Sequence, residues 1–128
     1  MEFRRVVITG LGAVTPIGNT VPEYWDALCK GVNGAGHITR FDSTKFRTRI
    51  ACEVKGFDPQ QYFDRKEVRK LDLYTQFAIV ASDEAISDSG ITKDNTDFDN
   101  VGVVFSSGIG GINSFYEEVA AFATGDGT

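Results

Sequence analysis

Histidine, cysteine and proline are scarce in this sequence, and their scarcity limits the sites that it can form. The 128 residues include one His, two Cys and three Pro. An ordinary zinc site needs four His, Cys or carboxylate ligands at short spacings, and Cys29 and Cys52 are too far apart to form a CxxC pair. His37 is the only histidine. We therefore expect no metal, no cofactor and two free thiols in a reducing compartment.

Positive charge and long hydrophobic runs are also limited. The formal net charge is −5 at pH 7, whereas nucleic-acid binding requires cations clustered over most of a face. No run approaches the ~20 apolar residues of a membrane span. The apolar start of the chain is interrupted by glycines, unlike a secretory signal. We expect a cytoplasmic globular protein that binds neither nucleic acid nor a membrane.

Segments typical of strands alternate with segments typical of helices. The β-branched runs at 5–9 and 101–105 predict two buried strands of a parallel sheet. Residues from about 32 to 63 form an irregular, insertion-like segment with at most a short strand. This order predicts an α/β fold. A sheet of only two parallel strands leaves open edges, so we doubt that the chain is stable alone.

Capping patterns predict where the helices begin. Such patterns occur at 20–23, 64–67 and 114–117, each with an N-cap residue followed three positions later by Glu. The first helix is expected to end near Gly31 and the third near Gly125. The second pattern opens a periodic apolar segment that runs to Gly90, as one long helix or two abutting ones.

Two glycine-rich corners follow the predicted strands, and each has more than one interpretation. Gly10-Leu11-Gly12 matches two glycines of the dinucleotide-binding pattern, but Pro16 follows where the phosphate-binding helix should run. A nucleotide-binding Rossmann-type module and a tight strand-exit turn both remain open there. The second corner, Ser-Ser-Gly-Ile-Gly-Gly at 106–111, lacks the Lys of a phosphate loop and the pattern of a nucleophile elbow.

The glycines of this second corner allow the backbone to lie close to an apolar neighbour. Ile109 would then project into whatever passes by. Ser106 and Ser107 have no histidine nearby in sequence to activate them, so we interpret their hydroxyls as groups that cap or bridge the backbone.

Four cations are concentrated on the second predicted helix. Arg65, Lys66, Arg69 and Lys70 share one side, where each like-charged pair costs roughly 0.2–0.5 kcal/mol. One interpretation is a solvated face, relieved by the acids at 64, 67 and 72. The other is a docking surface that attracts a small acidic partner.

Several segments, in the same order, resemble bacterial β-ketoacyl-[acyl carrier protein] synthases. They are RRVVITGLGAVTPIGNTVPEYWDAL, FD at 41–42, RKEVRKLDLYTQFAIVASDEAISDSG and SSGIGG. The resemblance covers essentially the whole chain and is closest to the elongating type II enzymes of fatty-acid synthesis. It implies a homodimeric, thiolase-like protein, of which this chain looks like most of the first half of a layered αβαβα architecture.

The resemblance also implies a function, the decarboxylative Claisen condensation of an acyl-enzyme with malonyl-[acyl carrier protein]. The family's nucleophilic Cys and two His fall beyond position 128, so we expect no catalytic residue in this chain and no activity from it alone. A non-catalytic chain-length partner of polyketide synthases shares the same N-terminal pattern and remains the alternative.

The resemblance assigns binding roles to two groups of residues. Lys66, Arg69 and Lys70 match the positions that dock the acidic acyl carrier protein. Ile109, flanked by Gly108 and Gly110, matches the residue that closes the far end of the acyl pocket near the two-fold axis.

Overall fold

The computed structural model describes residue 3 and residues 5–125. The helices in that part of the chain are α1 (Val21–Cys29), α2 (Arg65–Lys70), α3 (Leu73–Ser89) and α4 (Ile112–Thr124). Strands β1 (Gly36–His37) and β2 (Ile50–Ala51) lie between α1 and α2. Short 3₁₀ turns at Pro59–Gln61 and Phe98–Asn100 precede α2 and α4.

Two of the three predicted helix starts are confirmed. Thr20 caps α1 by accepting a hydrogen bond from the Glu23 main-chain N–H at 3.4 Å. Asp64 and Glu67 form a complete capping box on α2: the Asp64 carboxylate accepts from Glu67 N at 2.8 Å, and the Glu67 carboxylate accepts from Asp64 N at 3.1 Å. These bonds satisfy N–H groups that the first turn of a helix otherwise leaves without acceptors.

The third predicted start was wrong. Helix α4 begins at Ile112, three residues early, and its N-cap residue Gly111 makes no side-chain capping bond. The hydroxyl of Ser114, expected to cap this helix, donates instead to the carboxylate of Asp72. A carboxylate brought close by tertiary structure is a stronger acceptor than any partner within the helix itself.

The long periodic segment consists of two abutting helices. Leu71 has β-region dihedrals, with φ −95° and ψ 121°, and so separates α2 from α3. The predicted ends at Gly90 and Gly125 are confirmed, because each of these glycines is the C-cap residue of its helix.

The predicted parallel strands were wrong for the described part of the chain. Residues 5–9 and 101–105 form no ladder there, and the one sheet is the antiparallel pair of β1 with β2. Val6 is 90% exposed and Val104 is 95% exposed. A strand exists only when a neighbour accepts and donates its main-chain hydrogen bonds, and neither segment has such a neighbour here.

The hydrophobic core is small. The buried apolar side chains among the described residues are Ala27, Ala78 and Val80. The accessible surface is 10852 Å², whereas a compact monomer of 14.0 kDa exposes about 6,700 Å². Large side chains such as Phe122, at 80% exposure, remain uncovered. Apolar surface on this scale is typical of a surface that other protein covers.

The N-terminal glycine corner packs directly on α3. Gly10 lies against the helix main chain at Ala85, and Gly12 lies against it at Ala81. A Cβ atom on either glycine would collide with the carbonyl oxygen of the alanine beneath it. This corner therefore brings two backbones into close contact, although no strand precedes it in the described part of the chain.

Two carboxylates of α3 hold the segments that pack on it. The Glu84 carboxylate accepts hydrogen bonds from Ala13 N at 2.9 Å and from Val21 N at 2.8 Å. Asp88 accepts from Leu11 N at 3.0 Å. Glu84 thus joins the N-terminal corner, the first residue of α1 and the middle of α3.

Another carboxylate fixes the segment between α1 and α2. The Glu53 carboxylate accepts from the Thr39 hydroxyl at 2.7 Å and from the Thr39 main-chain N–H. The hydroxyl hydrogen bond is the main reason that the pKa of Glu53 lies below its ordinary value. Hydrogen bonding from the Thr44 main chain likewise lowers the pKa of Asp42.

We predict that Glu84→Ala lowers the free energy of unfolding by about 1–3 kcal/mol, because the partly buried N–H groups of Ala13 and Val21 lose their acceptor. Glu84→Gln should recover only part of the loss, since its amide supplies one acceptor where two donors converge. Denaturant unfolding of the complete protein measures the effect. Glu118→Ala, which removes an exposed acid from α4, is the control. Equal losses for Glu84→Ala and Glu118→Ala would contradict the tethering role.

We also predict that Thr39→Val raises the pKa of Glu53 toward the ordinary value, whereas Thr39→Ser leaves it low. A lowered folded-state pKa stabilises the fold above the unfolded-state pKa, and this contribution is lost as the pH falls through the folded-state value. NMR titration of the Glu53 carboxyl group measures this pKa in both variants. If Thr39→Val leaves the pKa of Glu53 low, the Thr39 hydroxyl is not what lowers it.

Candidate functional site

The cationic cluster lies on the exposed side of α2. Lys66, Arg69 and Lys70 are all exposed. Val68 and Arg69 also line a shallow depression where α2 meets the preceding 3₁₀ turn. The capping box at the start of α2 fixes this short helix, and with it the spacing of the cations.

The acids beside the cluster form no ion pair with it in the described part of the chain. Within residues 5–125 the one ion pair joins Lys30 to Asp26 at 2.7 Å. Asp64 and Glu67 are engaged with main-chain N–H groups, and Asp72 accepts a serine hydroxyl from α4. Hydrogen bonding does not cancel the charge of these acids, but none of them forms an ion pair with a cation of α2 among the described residues.

The second glycine corner is a tight turn that leads into α4. Gly110 has φ 79°, a left-handed conformation that side chains other than glycine rarely adopt. Its N–H donates to Ser107 Oγ at 2.7 Å, and its carbonyl accepts from Ile112 N at 3.0 Å. The expectation that Ser107 bridges backbone is confirmed. A Cβ on Gly108 would meet nothing within 4 Å, so the described residues give no steric reason for that glycine.

Ile109 lies at the tip of this corner. Its side chain is 77% exposed. A Cβ on the adjacent Gly110 would lie 3.8 Å from the Tyr74 ring. Tyr74 also lines an apolar depression on α3, together with Val103 and Phe105. The corner thus stands beside an apolar depression.

Asp72 connects this corner to α3, and no sequence pattern indicates this contact. The Asp72 carboxylate accepts the Ser114 hydroxyl and lies directly against Gly111. A Cβ on Gly111 would collide with that carboxylate. Because Ser114 is 42 residues away in the chain, no local spacing rule pairs the two.

Gln76 holds the junction between α2 and α3. Its side chain is 4% exposed, and its Nε2 donates to the carbonyls of Val68 at 3.3 Å and Leu71 at 2.8 Å. These are carbonyls that the end of α2 would otherwise leave unpaired. The cationic helix and the second glycine corner are therefore both attached to the first turns of α3.

The N-terminal corner is unsuited to phosphate. Its Leu11 and Ala13 N–H groups already donate to the carboxylates of Asp88 and Glu84. A phosphate site needs free N–H groups and positive potential, whereas two carboxylates create a negative potential. The geometry therefore does not support the dinucleotide interpretation.

Nucleophilic and metal-binding residues are dispersed. Cys29 ends α1, Cys52 follows β2, and both are exposed and free. His37 lies in β1, opposite Ile50. In the part of the chain that the structure describes, no three His, Cys, Asp or Glu side chains are grouped so as to hold a metal ion. None of the described helices is both long and apolar enough to cross a membrane.

Comparison with known proteins identifies relatives along almost the entire chain. Residues 3–126 match the family model described as the N-terminal domain of β-ketoacyl synthase. The 3-oxoacyl-[acyl-carrier-protein] synthase 2 of Coxiella burnetii is 50% identical over 112 residues, which cover 88% of this chain and 27% of that protein. The chain therefore spans just over a quarter of the length of such curated relatives.

Solved structures give a matching result. The ishigamide ketosynthase/chain length factor superposes with a TM-score of 0.76 and 32% identity, covering 97% of this chain and 31% of that one. A type II PKS ketosynthase bound to the hexaketide, in complex with its acyl-carrier protein, superposes with a TM-score of 0.71 and 24% identity, covering 94% of this chain and 31% of that one. The second likeness shows the fold alone.

Proposed function

The chain belongs to the β-ketoacyl synthase family, whose N-terminal domain it matches, and on this premise we propose that it works in fatty-acid chain elongation. Its fold is thiolase-like. The proposed reaction is the decarboxylative Claisen condensation of an acyl-enzyme with malonyl-[acyl carrier protein], carried out by the complete protein as a homodimeric acyltransferase. The observation that carries the proposal is the 50% identity to a 3-oxoacyl-[acyl-carrier-protein] synthase 2.

The chain-length partner of a polyketide synthase is the second candidate. The ishigamide ketosynthase/chain length factor supports it at 32% identity. The curated elongating relative is more similar, so fatty-acid elongation is the better-supported function. The two candidates differ in one measurable property, because a chain-length partner does not itself form an acyl-enzyme.

Within the complete enzyme, we propose that this chain binds the substrate and the carrier protein and supplies no catalytic residue. Cys29, Cys52 and His37 lie on separate elements, and no arrangement of the described residues pairs a thiol with a histidine. We place the nucleophile and its histidines in the remainder of the protein, and we expect residues 1–128 to be inactive alone. Residues from about 32 to 63 would be an insertion in this N-terminal part.

The cations of α2 are the proposed docking surface for the acyl carrier protein. Three observations support this role for Lys66, Arg69 and Lys70. They are exposed, they make no ion pair among the described residues, and they stand on a capped helix within a chain of net charge −5. An acidic carrier would be steered to this local positive surface although the chain as a whole repels it. We also propose a cytoplasmic location, because the protein would work where its acyl carrier protein is found.

The second glycine corner is the proposed far end of the acyl pocket. Ile109 projects from a turn that Gly110 makes possible, next to the apolar depression of Tyr74 and Phe105. Gly108 would leave room beside it for the hydrocarbon chain. The volume of the side chain at position 109 would then limit the length of acyl chain that the enzyme accepts.

We predict that charge reversal on the docking surface weakens carrier binding. In the complete enzyme, the triple variant Lys66→Glu, Arg69→Glu, Lys70→Glu should raise the KM for the acyl-carrier substrate by about tenfold, a difference of about 1.4 kcal/mol. It should also weaken the salt dependence of KM, because exposed charges act through screened interactions. Steady-state kinetics at two ionic strengths measure both effects.

Two controls separate docking from general damage. Lys93→Glu reverses an exposed charge in the loop after α3 and should leave KM unchanged. An acyl thioester without carrier should be used equally well by the triple variant and the unaltered enzyme. If the KM of the triple variant for the acyl-carrier substrate is unchanged, the cations form only a solvated face of α2 and do not dock the carrier.

We predict that Ile109→Phe shortens the longest acyl chain that the complete enzyme accepts, because the larger ring fills the end of the pocket. The measurement is kcat/KM for a series of acyl primers of increasing length. Ile109→Leu, which conserves volume, is the matched control and should keep the original profile. If Ile109→Phe uses long primers as well as the unaltered enzyme does, residue 109 does not line the acyl pocket.

A further inference from the structure

We propose that Asp72 is a positioning residue that sets the depth of the acyl pocket. In this role it holds the second glycine corner against α3 and so fixes where Ile109 projects. The inference rests on the proposed function, since it concerns the same pocket.

The carboxylate of Asp72 is available for this role because its own helix does not use it. Asp72 is the N-cap residue of α3, yet its side chain makes no capping hydrogen bond there, and only its main-chain carbonyl accepts from Thr75 and Gln76. The carboxylate turns instead to α4, where it accepts the hydroxyl of Ser114 in the first turn. A negative charge is favourable at that end of a helix.

Gly111 makes this contact sterically possible. The Asp72 carboxylate occupies the space where a Cβ of residue 111 would lie. Gly111 has φ −79°, which any residue adopts, so its backbone conformation does not require glycine. A side chain at this position would therefore displace the carboxylate.

Ile109 depends on this anchor because its own side chain contributes little packing. A side chain that is 77% exposed is not fixed by its neighbours, so the backbone of the corner decides where it points. That backbone is bound on one side by the Ser107–Gly110 hydrogen bond within the turn. On the other side it is held through Asp72, whose carboxylate lies against Gly111 and accepts the Ser114 hydroxyl.

The test compares acyl-primer profiles in the complete enzyme. Asp72→Ala and Ser114→Ala should each reduce the discrimination between accepted and over-long primers by on the order of tenfold in the ratio of kcat/KM values. Asp72→Asn keeps an oxygen acceptor for the hydroxyl and should retain most of the discrimination. Asp88→Ala removes another carboxylate tether of α3, the one to Leu11, and should leave the ratio unchanged.

A double-mutant cycle tests the steric half of the proposal. Gly111→Ala alone should reduce discrimination as Asp72→Ala does, because the new methyl group displaces the carboxylate. In the Asp72→Ala background the same substitution should add almost nothing, because the colliding atoms are gone. Additive effects of the two substitutions would mean that they act independently.

The outcomes distinguish this inference from the proposed function. If the unaltered enzyme condenses acyl primers while Asp72→Ala, Ser114→Ala and Asp88→Ala all slow every primer equally, the positioning role is wrong and the proposed function stands. If the unaltered enzyme forms no condensation product with any primer, the proposed function fails and the inference fails with it.

Discussion

Hydrogen bonds between carboxylates and main-chain or hydroxyl donors hold this chain on α3, and the arrangement of everything else depends on them. Glu84 binds the N-terminal corner and the start of α1, Asp88 binds the same corner, and Asp72 binds the start of α4. Charge-assisted bonds of this kind are stronger than neutral ones. They matter unusually here because only three apolar side chains are buried among the described residues, so packing contributes little to position.

This use of acids explains how the cations of α2 stay without ion pairs among the described residues of a chain of net charge −5. A surface acid usually lowers the potential of nearby cations, and α2 has acids on both sides. Those acids are oriented by capping and by the contact with α4, so none of them pairs with a cation of α2. The structural role of the acids and the proposed docking role of the cations are therefore two consequences of the same hydrogen bonds.

The sequence predicted what local rules govern and missed what depends on distant residues. The caps at Thr20 and Asp64, the helix ends at Gly90 and Gly125, and the bridging role of Ser107 follow from interactions spanning a few residues. The start of α4 was mispredicted because its serine is satisfied by Asp72, which no spacing rule brings near. The prediction of strands at 5–9 and 101–105 was wrong because a ladder needs a second chain segment as a hydrogen-bonding partner, and a β-branched run does not supply one. The family resemblance, and the residues it assigned, came from several motifs in order and not from any single one.

The mispredicted strands still carry information. A continuous β-branched run, without alternating polar residues, is typical of a strand covered on both faces. In the described chain, Val103 and Phe105 line a depression together with Tyr74 of α3 but stay 69% and 62% exposed. The remaining face and both edges need other protein, whether from the rest of the enzyme or from a second subunit. The cationic helix α2 and the second glycine corner do not have this requirement, because each is attached to the start of α3 by hydrogen bonds that do not depend on a sheet. One helix can thus position both elements even where the neighbouring β-branched segments form no ladder in the part that the structure describes.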